Sequence, residues 1–140
     1  MTPVWGLREH VVPFVAMVAG ERPDFGECQT MAVMDGGKMV GGIVFHNWRP
    51  DYGVIEFSGA GVKPGWVSRG VLREAFGYAF GQAMCQLVVA RTAIENKRMR
   101  RLAKALGAQE YIIPRMRGRT ASEAILTLTK EAWASSRLAR

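Results

Sequence analysis

The spacing of apolar residues changes near residue 60, and this change limits the folds open to the chain. Residues 28–34 and 39–48 are β-like segments joined by "DGGK", a hairpin signal because Asp and Gly tolerate positive φ. A turn, "RPDYG", leads to a third strand at 54–59. Residues 68–83 instead have apolar positions at helical spacing. The sequence therefore predicts an antiparallel meander followed by alternating helices and strands.

The second half continues this alternation. "MCQLVVARTA" is a short apolar run typical of a strand covered on both faces, and the helical stretch "ENKRMRRLAKALGA" follows it directly. Further strands are predicted at 111–114 and 124–129, with the basic loop "RMRGRT" between them. A helix over 5–19 opens the chain; Pro13 is expected to kink or shorten it, and its apolar face is Leu7, Val11, Val12 and Val15.

These elements predict an α/β or α+β domain with one mixed, strongly twisted central sheet and helices on both faces. Strand pairing must change direction where the meander meets the strand–helix–strand unit. We therefore expect the strand ending near Gly61 to splay away from the strand at 87–90.

Length and composition define the class of protein. A chain of 140 residues with 49% hydrophobic content suits a single two-layer domain, residues 1–140. Cys28 and Cys85 lack metal-ligand spacing and are too few for a disulfide framework, so we expect no metal and a reducing cytoplasm. Neither a signal peptide nor an apolar run of about 18 residues is present, so no membrane partner is expected. A homodimer stays open.

Positive charge is concentrated in one segment. Between Arg91 and Arg119, nine Lys and Arg residues stand against Glu95 and Glu110, which equals the whole net charge of +7. Positive charge that served only solubility would be spread along the chain. Its concentration in this segment therefore favours an anionic partner: RNA, DNA or a polyphosphate.

The start of the helix at residue 68 has the chemistry of an anion site. Free backbone N–H groups and the positive end of the helix dipole meet there, and Gly70 lets a ligand approach without a Cβ in the way. Arg69 and Arg73 lie one turn apart and suit phosphate oxygens. The alternative is an ordinary helix capped by Ser68, with both arginines solvated.

Two stretches resemble the GNAT family, the Gcn5-related N-acetyltransferases. "SRGVLREA", residues 68–75, is similar to the family's acyl-CoA pyrophosphate loop and the helix it opens, and "ENKRMRRLAKALGA", residues 95–108, is similar to its next helix. The order of elements agrees from residue 28 to 129. The resemblance implies acetyl-CoA as cofactor, an amine acceptor, which a protein can supply, and cofactor contacts from Gly65, Ser68, Arg69, Gly70, Val71, Leu72, Arg73, Asn96 and Arg101.

The chain departs from the family pattern at several positions. Gly65 stands where the family has Gln or Arg, and Ser68 replaces the middle glycine of the loop. Ala103 occupies the place of a Tyr that can act as general acid, and Ala108 replaces an aromatic residue. Gly70, Asn96 and Gly107 agree with the pattern.

The basic helix has two further interpretations. Its apolar face leaves Lys97, Arg98, Arg100, Arg101 and Lys104 on the outer surface, where they can be merely solvated or can bind nucleic acid. The chain's aromatic residues are not interleaved with these arginines, so a base-stacking platform is not evident.

Acyl transfer to an amine needs a base for the amine and a proton for the leaving thiolate. Glu56 lies in an apolar strand, where burial would raise its pKa, although Val54, Glu56 and Ser58 share a face that can instead be wet. His46 is the second candidate base, with a structural histidine as the alternative. Tyr111 is the nearest candidate acid in sequence, and water is the other; Cys85 lacks a nearby base.

We therefore predict an acetyl-CoA-dependent N-acetyltransferase. The alternative is a non-catalytic protein of the same fold that binds a protein or nucleic acid through its basic stripe.

Overall fold

One seven-stranded sheet forms the centre of the molecule in the computed structural model, which describes all residues from 1 to 140. The sheet order is β1-β2-β3-β4-β5-β7-β6. The strands are β1 Thr2–Trp5, β2 Cys28–Asp35, β3 Lys38–Arg49, β4 Val54–Gly61, β5 Leu87–Ala93, β6 Gln109–Ile113 and β7 Glu123–Thr129. The helices are α1 Arg8–Ala19, α2 Arg69–Gly77, α3 Lys97–Ala105 and α4 Lys130–Ser135.

Helices cover both faces of the mixed sheet, as predicted. On one face, Val11 and Val15 of α1 pack on Ala32, Val44 and Ala60 of the meander. On the other face, α2, α3 and α4 cover a larger core that continues from β2 to β7, with members including Phe45, Phe57, Phe76, Val88 and Leu128. β4 and β5 are the one parallel pair, and every other neighbouring pair is antiparallel.

The predicted gap in the sheet is confirmed. β4 pairs with β5 through four positions only, from Val54 opposite Leu87 to Phe57 opposite Ala90. Beyond that point β4 stays paired with β3 as far as Gly61, while β5 stays paired with β7 as far as Ala93. Each strand keeps one partner and loses the other, so the two strands diverge.

The first helix begins later than predicted. Residues 2–5 form β1, the edge strand beside β2, and Gly6 and Leu7 then adopt positive φ before α1 starts at Arg8. Leu7 is consequently exposed and does not belong to the buried face, which Val11 and Val15 provide. Pro13 lies inside α1 without ending it.

Two further boundaries differ from the sequence prediction. The helix predicted over residues 68–83 is α-helical only to Gly77 and continues as a π-helical turn, Tyr78–Gln82. The C-terminal helix α4 and a short 3₁₀ turn, Arg137–Ala139, were not predicted. Trp133 of α4 packs against Phe76, so these residues complete the core over α2. None of the helices is long and apolar enough to cross a membrane.

The prediction that Arg100 lies on the outer surface of α3 is wrong. Its guanidinium donates two hydrogen bonds of 2.7 Å to the carboxylate of Glu110 on β6 and a third to the carbonyl of Ile94. Lys104 lies 3.5 Å from the same carboxylate. This pairing fastens α3 to β6, and it holds the pKa of Glu110 down at about 2.

Replacing Glu110 by Gln should weaken the fold in a pH-dependent way. Because the pKa of Glu110 is lower in the folded chain than in the unfolded one, its stabilisation is present above the ordinary carboxylate range and is lost as the pH falls toward 2. The Glu110→Gln protein should therefore have a lower urea midpoint at about pH 7, and the difference should shrink by about pH 3.

Glu27→Gln is the matched control, because Glu27 is exposed and has no cation within 4.0 Å. A Glu110→Gln midpoint that differs from the wild type equally at both pH values would show that the ion pair is not the cause.

Candidate active site

Two cavities flank the gap between β4 and β5, one on each face of the sheet. Successive residues of β4 alternate between them: Glu56 and Ser58 line a polar cleft on the α1 face, and Phe57 and Gly59 line an apolar cavity on the α2 face. Side chains of a strand point to opposite faces in turn. The break in pairing therefore lies where both cavities can reach the same backbone.

The polar cleft collects side chains from six parts of the chain. The α1–β2 loop forms one wall, β3 and β4 form the floor, and the other wall consists of β5, the β6–β7 loop and the start of β7. Its lining is Gly20, Glu21, Arg22, Asp24, Phe25, His46, Asn47, Glu56, Ser58, Arg91, Met116, Arg117 and Glu123. Two of the three predicted catalytic residues, Glu56 and His46, are in this set.

Glu56 is the most connected group of the cleft. Its side chain is 15% exposed. Asn47 Nδ2 donates to Oε1 at 3.1 Å, and Arg91 Nε lies 3.7 Å from the same oxygen. His46 Nε2 lies 3.7 Å from Oε2. The carboxylate is thus partly buried on the floor of the cleft and is held in place near the end of the paired stretch, just before the gap.

His46 is buried directly opposite Glu56 in the β3–β4 ladder. Burial lowers its pKa below the ordinary histidine value, although the negative charge of Glu56 works in the other direction. The imidazole is therefore neutral near pH 7. Its Nε2 shares a 2.8 Å hydrogen bond with Ser58 Oγ, and its ring meets the Phe25 ring edge-on at 5.0 Å.

A backbone irregularity positions Asn47. The β3–β4 register shifts between His46 and Arg49, and Asn47 adopts a φ of 51°. Asn tolerates this left-handed conformation better than most residues do. The bulge lets Asn47 reach Glu56 across the strand pair, although the two residues are not ladder partners.

The apolar cavity lies between α2, α3 and the sheet. Its lining includes Phe57, Leu72, Phe76, Met99 and Leu106, and Ala103 forms part of its α3 wall. Trp66, in the loop before α2, closes one side.

Three glycines make room for the Trp66 indole. A Cβ on Gly41 or on Gly61 would lie 2.3 or 2.4 Å from indole carbons, and one on Gly59 would lie 3.3 Å away. The contacts at Gly41 and Gly61 are too short for any Cβ, so glycine at these two positions allows the indole to lie against the sheet beside the gap.

The start of α2 retains free backbone donors. Ser68 Oγ accepts from the Val71 amide at 3.2 Å, so the predicted cap exists. The amides of Arg69 and Gly70 have no acceptor within the chain. A Cβ on Gly70 would meet only Ser68 Oγ, at 4.0 Å, so the space above these amides is open.

The other predicted cofactor residues take varied positions around this helix start. Gly65 forms the turn before it with a φ of 79°, and Val71 and Leu72 are buried on its inner face. Arg69 is exposed. Arg73 is exposed as well, but its Nε donates to the Leu138 carbonyl at 3.4 Å, which draws it toward the C-terminal turn.

Asn96 and Arg101 belong to the neighbouring helix. Asn96 caps α3 by accepting from the Met99 amide and donating to Thr92 Oγ1. Arg101 is exposed and forms no hydrogen bond or ion pair within the chain. Five cations of the basic segment have no carboxylate within 4.0 Å: Lys97, Arg98, Arg101, Arg115 and Arg119.

Tyr111 is not brought together with Glu56 and His46. It lies on β6 at the far side of β7, is 49% exposed, and donates its hydroxyl hydrogen bond to Gln109 at 2.7 Å. It lines neither of the two cavities.

Sequence reasoning did not single out Ser58, Arg91 or Trp66 as site residues. Ser58 could have been found from its alternation with Glu56 along a strand. The "GAG" spacing of Gly59 and Gly61 signals a close approach on one strand face, which is where Trp66 lies. Arg91 had no local signal, because its approach to Glu56 depends on the β4–β5 register.

No family model and no curated protein matches the chain. Solved structures do match. A spermidine N-acetyltransferase SpeG chimera from Vibrio cholerae and hSSAT superimposes with a TM-score of 0.75 at 12% identity, over 96% of this chain and 100% of that one. A protein assigned as an acetyltransferase from T. thermophilus gives 0.66 at 20% identity, over 89% and 68%.

A further assigned acetyltransferase gives a TM-score of 0.63 at 24% identity, over 77% of this chain, and the chain spans 61% of its length. At these identities the likeness concerns the fold. The chain has the mixed α/β fold of the solved acetyltransferases, a GNAT-like fold.

Proposed function

We propose that this protein is an acetyl-CoA-dependent N-acetyltransferase that moves an acetyl group to a primary amine. One observation carries the proposal: a break in strand pairing lies between an apolar cavity on one face and a polar cleft on the other, with the carboxylate of Glu56 beside the break. Two substrates that enter from opposite faces of the sheet can meet at this break. Both cysteines are free thiols, which suits a reducing cytoplasm as the proposed compartment.

The chain's own groups fit the proposed cofactor. The unpartnered amides of Arg69 and Gly70, and the open space above Gly70, suit a pyrophosphate at the start of α2. Arg69 and the exposed Arg101 can add charge-assisted hydrogen bonds to phosphate oxygens. Acetyl-CoA would supply the activated thioester. We assign the remaining contacts to Gly65, Ser68, Val71, Leu72, Arg73 and Asn96.

Glu56 is the proposed base. An attacking amine must be neutral, and Glu56 is the carboxylate nearest the break that faces the cleft. The 3.1 Å hydrogen bond from Asn47 fixes its orientation. Neutral His46, hydrogen-bonded to Ser58, is the proposed route by which the proton leaves toward solvent. We assign protonation of the leaving thiolate to water, because Tyr111 lines neither cavity.

A second candidate function is supported by the unpaired cations of the basic segment. Lys97, Arg98 and Arg101 form one exposed surface on α3 without carboxylate partners. A non-catalytic protein with this fold would use that surface to bind a protein or a nucleic acid.

Replacing Gly70 by Val should abolish measurable CoA binding while the fold stays intact. A valine side chain would fill the open space over the free amides, and the helical backbone there accepts it. Isothermal titration calorimetry with CoA measures the effect. Gly77→Val in the same helix is the control, since a Cβ at Gly77 also meets open space but lies about two turns away. Equal CoA affinity in the two variants would refute the cofactor assignment.

Replacing Glu56 by Gln should lower turnover by about 10²-fold or more and leave CoA affinity unchanged. Glutamine keeps the acceptor for Asn47 and removes the proton acceptor. Release of free thiol from acetyl-CoA, in the presence of a panel of amines, measures turnover.

Lys97→Gln in the same assay separates the two functions. If the protein is an acetyltransferase, Lys97→Gln should change turnover little. If it binds nucleic acid instead, Lys97→Gln should lose a salt-dependent affinity for RNA, and Glu56→Gln should keep that affinity. If the wild-type protein is an active enzyme and the Glu56→Gln variant has the same turnover, the base must be His46 or water instead of Glu56.

A further inference from the structure

The charges of the polar cleft are nearly balanced, and this balance restricts the acceptor. Its four carboxylates are Glu21, Asp24, Glu56 and Glu123, and its three guanidinium groups are Arg22, Arg91 and Arg117. An acceptor with several positive charges would meet three arginines, and an acceptor with only negative charge would meet four carboxylates. The cleft therefore suits a ligand that carries both signs.

Arg117 already forms ion pairs within the chain through both of its terminal nitrogens. Arg117 Nη1 lies 3.5 Å from Glu123 and Nη2 lies 3.8 Å from Glu21. This bridge joins the β6–β7 loop to the end of α1 and closes one side of the cleft. Its charge is neutralised within the chain, so it does not hold the acceptor.

Arg91 is differently placed. Its closest approach to Glu56 is from Nε to Oε1, at 3.7 Å, and its side chain is 45% exposed. Its two terminal nitrogens form no hydrogen bond within the chain, and the guanidinium lies beside the carboxylate that we assign to the amine. A planar guanidinium whose terminal nitrogens have no hydrogen-bond partner can bind a carboxylate through two hydrogen bonds.

We propose that the acceptor is a free amino acid with an apolar side chain, whose amine is held by Glu56 and whose carboxylate is held by Arg91. This inference rests on the proposed function and specifies its substrate. The amine and carboxylate of an amino acid are separated by a single carbon, and the Arg91 guanidinium lies only 3.7 Å from the Glu56 carboxylate. Phe25 and Met116, the two apolar side chains of the cleft, supply a surface for the amino acid's own side chain.

The reaction balances without a further reagent. The neutral amine nitrogen forms a bond to the acyl carbon while the thioester C–S bond breaks. The nitrogen's proton passes to Glu56 and then to solvent, and the leaving thiolate takes a proton from water.

Four amines test the role of the carboxylate: L-phenylalanine, L-phenylalaninamide, 2-phenylethylamine and spermidine. The first three share the aromatic ring and differ at the carboxylate. L-phenylalaninamide has the least basic amine of the three, so the largest fraction of its amine is neutral and reactive near pH 7. An enzyme that does not recognise the carboxylate would therefore use L-phenylalaninamide best. We expect kcat/KM for L-phenylalanine to exceed that of the other three amines by about tenfold or more.

Arg91→Gln tests the residue. It should raise the KM for L-phenylalanine by about tenfold and change the KM for 2-phenylethylamine much less. Because 2-phenylethylamine has no carboxylate, the comparison between the two substrates corrects for any electrostatic effect of the substitution on Glu56. Arg137→Gln is the matched control, because Arg137 is exposed in the C-terminal turn and outside the cleft. Calorimetric titration of L-phenylalanine into the CoA complex provides a readout that does not depend on turnover.

The outcomes separate the two proposals. Equal or better use of the amide or the amine, or an unchanged preference in Arg91→Gln, would overturn the amino-acid acceptor and leave acetyl transfer standing. Thiol release with none of the amines, from a protein that binds L-phenylalanine through Arg91, would overturn the transferase and leave the amino-acid site. Absence of both binding and turnover with L-phenylalanine would overturn this inference.

Discussion

The site depends on the point where β4 and β5 stop pairing. A parallel pair of only four positions joins the two halves of the sheet, and beyond Phe57 and Ala90 each strand follows a different partner. Backbone groups of β4 that face β5 are consequently left without a strand partner. Buried backbone donors and acceptors need partners, so this opening is a place where the fold itself calls for a ligand or water. Both cavities are consequences of this divergence.

Electrostatics then divides the basic segment into parts with different roles. Arg100 and Lys104 are used to hold α3 against Glu110, Arg117 bridges two loops, and Arg91 faces Glu56. Only the remaining cations are available to a partner outside the cleft. The net charge of the segment, taken from the sequence, therefore overstates the surface that it offers to an anion.

The architecture could be predicted largely because hydrophobic periodicity reports which face of each element is buried. The hairpin "DGGK", the apolar run that contains β5 and the helical stripe of α2 are local signals, and the elements and the gap follow from them. The edge strand β1 was missed because it is four residues long and is followed directly by the helix whose pattern it interrupts. The π-helical end of α2 lacks a pattern distinct from that of an α-helix.

The site was less predictable because it depends on register. Glu56 and His46 were recognised as titratable groups within strands, and the ladder places them opposite one another. The contacts of Arg91 and Asn47 with Glu56 require the β4–β5 register and the β3 bulge, which no short stretch of sequence encodes. Tyr111 was selected by its distance along the chain, and β7 separates it from β5 in the sheet.

Hydrogen–deuterium exchange of β4, measured with and without acetyl-CoA, tests the central claim most directly. If the acyl arm enters the gap, amides at Ser58–Gly61 that face β5 should exchange more slowly when acetyl-CoA is present, while the Val54–Phe57 stretch, already paired on both sides, should change little. Slower exchange confined to α3, with β4 unchanged, would contradict the account, because the ligand would then be held by the basic helix alone.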